Sequence, residues 1–124
     1  MVFFELFAHN PTLIQVPAGR PLFVEGEAGQ VMYVLTTGRA EIRMANQVLE
    51  KLAHGSIVGE LGLVSPGPRL ITVMASCDCE FVAIDEQRFQ LLVQQTPIFA
   101  IQVMRVMAER LQRAGQWSLA PSPS

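Results

Sequence analysis

Glu60 and Arg69, nine places apart, are the residues of this chain best suited to recognising a ligand. They lie between Gly55 and Ala75, where two strand-like pieces enclose a short insertion. Gly59 to Val64 can make one turn of helix, because Gly59 permits close approach and Pro66-Gly67-Pro68 prevents the helix from running on. The start of such a turn presents free backbone N–H groups, and together with the helix dipole these favour an anion, a phosphate above all. Arg69 arrives from the far side of the loop. Its guanidinium can meet two phosphate oxygens with parallel hydrogen bonds, which lysine cannot reproduce. Glu60 would repel the anion but can accept a hydrogen bond from a sugar hydroxyl. A ribose phosphate satisfies both residues at once. The same pair also fits an ordinary surface loop with an exposed ion pair that contributes little. Taken alone, the two residues leave both readings open.

No other residues assemble into a reaction centre. His9 and His54 have no Ser, Cys or Asp in motif spacing and no paired metal ligands, so catalysis is not expected. Cys77 and Cys79, the two cysteines, are separated by one residue, which disfavours a disulfide on an extended chain. They read as small residues at a turn between strands. Too few ligands are present for a zinc site.

The elements that must position Glu60 and Arg69 follow from periodicity. From Leu13 to Ile84, short runs rich in Val, Ile, Leu and Thr alternate with turn signals, the pattern of a largely antiparallel β-sandwich or barrel. Leu13 to Val16 and Pro21 to Val24 flank Pro17-Ala18-Gly19. Val31 to Thr36 and Ala40 to Met44 are expected to meet across Thr37-Gly38, and Ala45-Asn46 turns the chain into Val48 to Leu52. Asp85 is placed to cap a helix over Glu86 to Gln95, with Phe89, Leu92 and Val93 at helical spacing. Pro97 starts a second helix expected to end near Ala114, with Gly115 as its stop. On its wheel Ala100, Ile101, Val103, Met104, Met107, Ala108, Leu111 and Ala114 form one apolar arc, opposite Gln102, Arg105, Glu109 and Gln112. Val106 falls on the wetter side.

The chain of 124 residues is the size of one domain, and half of its residues are apolar. We divide it into a single domain over 1–115 (N-terminal segment 1–12, β-rich part 13–84, helices 85–115) and a disordered Pro/Ser tail over 116–124. Nine basic against eleven acidic side chains give a formal charge of −2, which supplies no excess of cations for a DNA or RNA backbone. Nor do two further helices follow that could form a helix-turn-helix. Met1 to Asn10 lack a basic leader and a cleavage site, and no apolar run approaches the roughly 20 residues of a membrane span. A cytoplasmic location is expected.

Gly59-Glu60-Leu61-Gly62-Leu63, followed by Pro68-Arg69 and Thr72-Val73, resembles the phosphate-binding cassette of the cyclic-nucleotide-binding domain family. Phe23-x-x-Gly26-Glu27-x-Gly29, Tyr33-Val34 and Gly38 resemble its early hairpins, and with the two terminal helices in its usual order the resemblance covers about Leu6 to Ala114. Its members include sensor domains of catabolite-activator-type regulators, regulatory subunits of protein kinase A and cyclic-nucleotide-gated channels. The resemblance implies a mainly β fold with flanking helices. This is an antiparallel β-roll, or jelly-roll barrel (double-stranded β-helix), with a short cassette helix and two C-terminal helices.

It also implies that Glu60 takes the ribose 2′-hydroxyl and Arg69 the cyclic phosphate, with Gly59 and backbone N–H groups near Leu61, Gly62 and Leu70 completing the cradle. The purine would lie against Ile42, Leu49, Leu52 and Val58, and Arg110 would reach from the last helix to stack over it. Each of those four residues also reads as plain core, and Arg110 as a cation whose stem covers the helix edge. Leu70 departs from the small or hydroxylated residue usual after the arginine, which leans the ligand towards cAMP over cGMP, and Ile71 is bulkier than usual. The resemblance implies no cofactor and no metal. The implied function is a regulatory sensor whose last helix moves on binding and passes the signal to a protein effector or through self-association. Two other readings stay open: a ligand-silent interaction module, and a cupin-like metal enzyme, whose histidine-rich strand motif is absent.

Overall fold

The computed structural model describes residues 12–119. The expected N-terminal segment, apart from Thr12, and residues 120–124 lie outside them. Ten strands come first: β1 (Thr12–Val16), β2 (Pro21–Phe23), β3 (Ala28–Gly29), β4 (Met32–Thr37), β5 (Ala40–Met44), β6 (Gln47–Leu52), β7 (Ile57–Val58), β8 (Gly67–Pro68), β9 (Thr72–Ala75) and β10 (Cys79–Ile84). Helix α1 (Glu60–Val64) interrupts them between β7 and β8, and α2 (Glu86–Gln95) and α3 (Ile98–Leu119) follow.

The pairing is nested. β1 pairs with β10, β2 with β9, β3 with β8, β4 with β7 and β5 with β6, all antiparallel. One long hairpin, with its tip between β5 and β6, is thus rolled on itself. Lateral pairs β4·β10 and β5·β9 close it into four-stranded sheets ordered β1-β10-β4-β7 and β2-β9-β5-β6. The tip is a tight turn in which Ala45 and Asn46 both take positive φ, 52° and 68°, the twist that antiparallel neighbours require. This is the expected β-roll.

The expected meeting of β4 with β5 across Thr37-Gly38 does not occur. β4 bonds to β10 and β7, whereas β5 bonds to β6 and β9. Gly38, with φ of 97°, carries the chain from one sheet to the other, and a Cβ there would run into the Asp78 carbonyl and the Cys79 sulfur. Cys77 and Cys79 are free thiols against this crossover. Cys79 Sγ donates to the Arg39 carbonyl at 3.1 Å, and burial foremost pushes its pKa up.

Two apolar clusters hold the roll and the helices. Inside the roll, Val16, Phe23, Leu35, Ile42, Leu52, Val58, Val73 and Phe81 pack together. On the other face of the first sheet, Met32, Val34, Ile57, Val82 and Ile84 meet Leu92, Phe99 and Val103. β4 and β10 are therefore buried on both faces, which is why their sequences run apolar instead of alternating. Asp85 caps α2 as expected, accepting from the Arg88 N–H at 2.8 Å.

Two expectations for α3 are corrected. The helix runs through Gly115 to Leu119, so 116–119 is not tail; a helical glycine costs about 1 kcal/mol, which does not forbid continuation. Val106 packs on the core with Met107, while Ile101, Met104 and Leu111 are exposed. The apolar arc is wider than the contact, and the roll claims only one flank of it.

Phe99 is sealed, with its ring centre 5.6 Å from that of Phe89 in a tilted contact, so Phe99→Ala should cost about 3–5 kcal/mol in urea unfolding. Gly38→Ala, at a half-buried position of positive φ, should also destabilise, by more than the about 1 kcal/mol that glycine-to-alanine changes gain at compatible sites. A neutral Gly38→Ala would contradict the crossover geometry.

Candidate functional site

Arg69 enters the fold directly after β8. Its backbone is clamped, with N–H donating to the Glu27 carbonyl at 2.7 Å and C=O accepting from the Gly26 N–H at 2.8 Å. The side chain then turns inward and is only 8% exposed. Its guanidinium carbon lies 4.2 Å from the centre of the Phe23 ring and 5.9 Å from that of Tyr33. Nη2 donates to the Val31 carbonyl at 2.8 Å and Nη1 to that of Gly59 at 3.4 Å, while Nε is buried without a partner.

Glycines make the room for it. A Cβ on Gly29 would overlap Nε and Cζ of Arg69, and one on Gly59 or Gly62 would come within 2.9 or 2.8 Å of Nη1. Gly59 also takes a φ of 76° as it leads into α1. The close approach expected of Gly59 is therefore to Arg69. Among the described residues no carboxylate pairs with this guanidinium. Two carbonyls and the face of a ring offset part of the cost of burying the cation, and an anionic partner is the usual remedy for the rest.

Glu60, the first residue of α1, is also buried, at 5% exposure. Its partner is not Arg69. Arg110 of α3 donates from Nη1 to Glu60 Oε1 at 2.9 Å and forks onto Glu50 of β6, with Nε and Nη2 each 3.1 Å from a carboxylate oxygen. Arg113, one helical turn further, reaches Glu50 Oε1 at 3.0 Å. Burial pushes the Glu50 carboxyl up, but the hydrogen bonds and charge of Arg110, with those of Arg113, outweigh it and hold its pKa below the ordinary value. Burial likewise disfavours the Arg110 cation, and Glu50 and Glu60 reverse this and raise its pKa. The reading of Glu60 and Arg69 as an exposed ion pair is overturned, since both are buried and neither pairs with the other.

The remaining expected residues divide. Gly59 and Gly62 wall Arg69, whereas the Leu61 and Leu70 side chains are 52% and 67% exposed at the surface. Ile42, Leu52 and Val58 sit sealed in the interior of the roll, and Leu49 packs against that cluster while keeping some exposed surface. Sequence reasoning missed Glu50 and Arg113, and gave Phe23, Gly29 and Tyr33 no role. The signal for Glu50 is weak: a carboxylate in a strand finds its partner some 60 residues away. Among the described residues no group of three or more His, Cys, Asp or Glu could hold a metal, and no helix is long and apolar enough to cross a membrane.

Comparison with known proteins bears on this geometry. A family model described as cyclic nucleotide-binding domain matches residues 13–96. The chain is 27% identical over 103 residues to the cyclic AMP receptor protein of Thermus thermophilus, covering 79% of this chain and 48% of that protein. It is 30% identical over 95 residues to a cyclic nucleotide-gated potassium channel of Rhizobium etli, covering 77% of this chain and 26% of the channel. Among solved structures, the catabolite activator protein of Thermus thermophilus superposes with a TM-score of 0.83 at 24% identity, over 97% of this chain and 58% of that one, a likeness of fold. The chain thus spans about half the length, or less, of the curated relatives it matches. With the roll, the cassette helix and the buried arginine in place, the match over 13–96 shows that this chain belongs to the cyclic nucleotide-binding domain family.

Proposed function

We propose that the chain is a sensor module that binds cAMP in preference to cGMP, with Arg69 on the cyclic phosphate and Glu60 on the ribose 2′-hydroxyl. The observation that carries this reading is the Arg69 cation, buried, without a carboxylate partner and with Nε unbonded. A phosphate oxygen at Nε would complete its hydrogen bonds and balance its charge in one contact. Backbone N–H groups near Leu61, Gly62 and Leu70 would share the anion.

Three further points support the reading. The Thermus relative is named for cyclic AMP. Leu70 offers no hydroxyl to a guanine, and 67% of its surface is exposed. Of the expected purine contacts, Leu49 has surface to offer, while Ile42, Leu52 and Val58 support it from the core. Stacking of Arg110 over the base would compete with its bonds to Glu50 and Glu60. The role is regulatory, with neither catalysis nor a cofactor, in the cytoplasm.

The last helix would carry the signal. Arg110 ties α3 to the same carboxylate that would bind ribose, so the ligand and the helix position share one group. For onward transmission we favour self-association. Ile101, Met104, Ala108 and Leu111 are all exposed on α3 at the 3-4-3 spacing of a coiled-coil seam. A ligand-silent module is the second reading, favoured by the two carbonyls already bonded to the Arg69 fork.

Calorimetric titration with cAMP, cGMP and linear 5′-AMP, after removal of co-purifying nucleotide, separates these readings. Wild type should bind cAMP, and Arg69→Ala should weaken it by roughly 2–5 kcal/mol. Equal heats for the two proteins would refute the site, and a cGMP preference would reverse the specificity. Light scattering should give a dimer for wild type and a monomer for Leu111→Glu; a monomeric wild type would refute the seam.

A further inference from the structure

Arg110 links the roll to the last helix by a geometry that constrains Glu60. A guanidinium is planar, so seating Nε and Nη2 on the two oxygens of Glu50 fixes the direction in which Nη1 points. Nη1 points at Glu60 Oε1, 2.9 Å away. Arg113, three residues along α3, adds a second cation to Glu50 and restrains the fork further. Only one oxygen of Glu60 is engaged in this way. Oε2 has no protein partner among the described residues, and it is not among the polar atoms sealed from solvent.

We propose that Glu50 is a positioning residue for ribose recognition: through Arg110 it holds Oε1 of Glu60 and presents Oε2 to the ligand's 2′-hydroxyl, so that this hydrogen bond forms only while α3 is docked. The proposal deepens the site assigned above and rests on Glu60 as the ribose acceptor. Glu50 touches no ligand. It acts at one remove, by fixing the angle of a cation that fixes the angle of a carboxylate. The charges agree with the role. Two carboxylates share two guanidiniums in a half-buried cluster, so Glu60 is anchored through one oxygen by a cation that Glu50 also holds. Without Glu50 the fork on Arg110 opens, Glu60 regains its side-chain freedom, and the hydroxyl must order it on binding.

The ligand supplies the discriminating probe, because 2′-deoxy-cAMP lacks only the hydroxyl in question. Affinities of cAMP and 2′-deoxy-cAMP are measured for wild type, Glu50→Gln and Arg110→Lys. Wild type should prefer cAMP by about tenfold or more, the discrimination expected of one hydrogen bond to a charged group. In Glu50→Gln the preference should fall to about twofold or below, with cAMP weakened and the deoxy compound nearly unchanged, because the neutral amide cannot hold the fork. Arg110→Lys, which keeps the charge but not the fork, should narrow the gap in the same way. Equal weakening of both nucleotides in both variants, or no change in either, would overturn the positioning role while leaving the site intact. Wild type that binds cAMP without discriminating the deoxy analogue would overturn the ribose assignment and this proposal with it. Absence of binding by wild type would remove both together with the site.

Discussion

A single buried cation organises this molecule. Arg69 is enclosed by Phe23, Tyr33 and glycines 29, 59 and 62, and the geometry of three separate stretches of chain is set by the need to surround it. Each glycine is there because a methyl group would collide with the guanidinium. Each backbone segment in contact with the charge turns a carbonyl towards it where it can, Val31 and Gly59 being the two that succeed. The site has a cost. A guanidinium left with Nε unbonded is less stable than a paired one, and the fold sustains it by the apolar packing around it.

The rolled hairpin explains how distant residues reach this point. β3 and β8 are two-residue strands that would not persist alone, yet their pairing brings Gly29 beside Gly67 and delivers Arg69 to the interior. β4 pairs with β7, and so places the carbonyls of Val31 and Gly59, which flank those strands, within reach of the two terminal nitrogens of the guanidinium. The nesting of strands thus converts a sequence separation of 40 residues between Gly29 and Arg69 into contact. Helix α3 contributes from outside the roll, since its packing on Met32, Val34 and Ile84 sets where Arg110 stands relative to Glu60.

Much of this was legible in the residues, for identifiable reasons. Asp85 as a cap, Ala45-Asn46 as the hairpin tip and the α1 turn between Gly59 and Pro66 are local chemistry, and each stands where it was expected. The failures are non-local. Thr37-Gly38 has the form of a hairpin turn, and only the contacts of Gly38 with Asp78 and Cys79 reveal it as a crossover between sheets. Gly115 has the form of a helix stop, which the helix passes through. Glu60 and Arg69 suggested a pair because they are near in sequence, whereas burial gives each a separate environment and assigns Glu60 to an arginine 50 residues on. Val106 and Ile101 exchange their expected places because a wheel shows the width of an apolar arc but not which edge the sheet will cover.

In the proposed function the unbonded edge of Arg69 is reserved for a phosphate oxygen. A crystal structure of the protein with cAMP tests it most directly. A cyclic-phosphate oxygen should lie within about 3.0 Å of Arg69 Nε, in the plane of the guanidinium. Nucleotide bound elsewhere, with Nε still unpartnered beside Gly29, would contradict it.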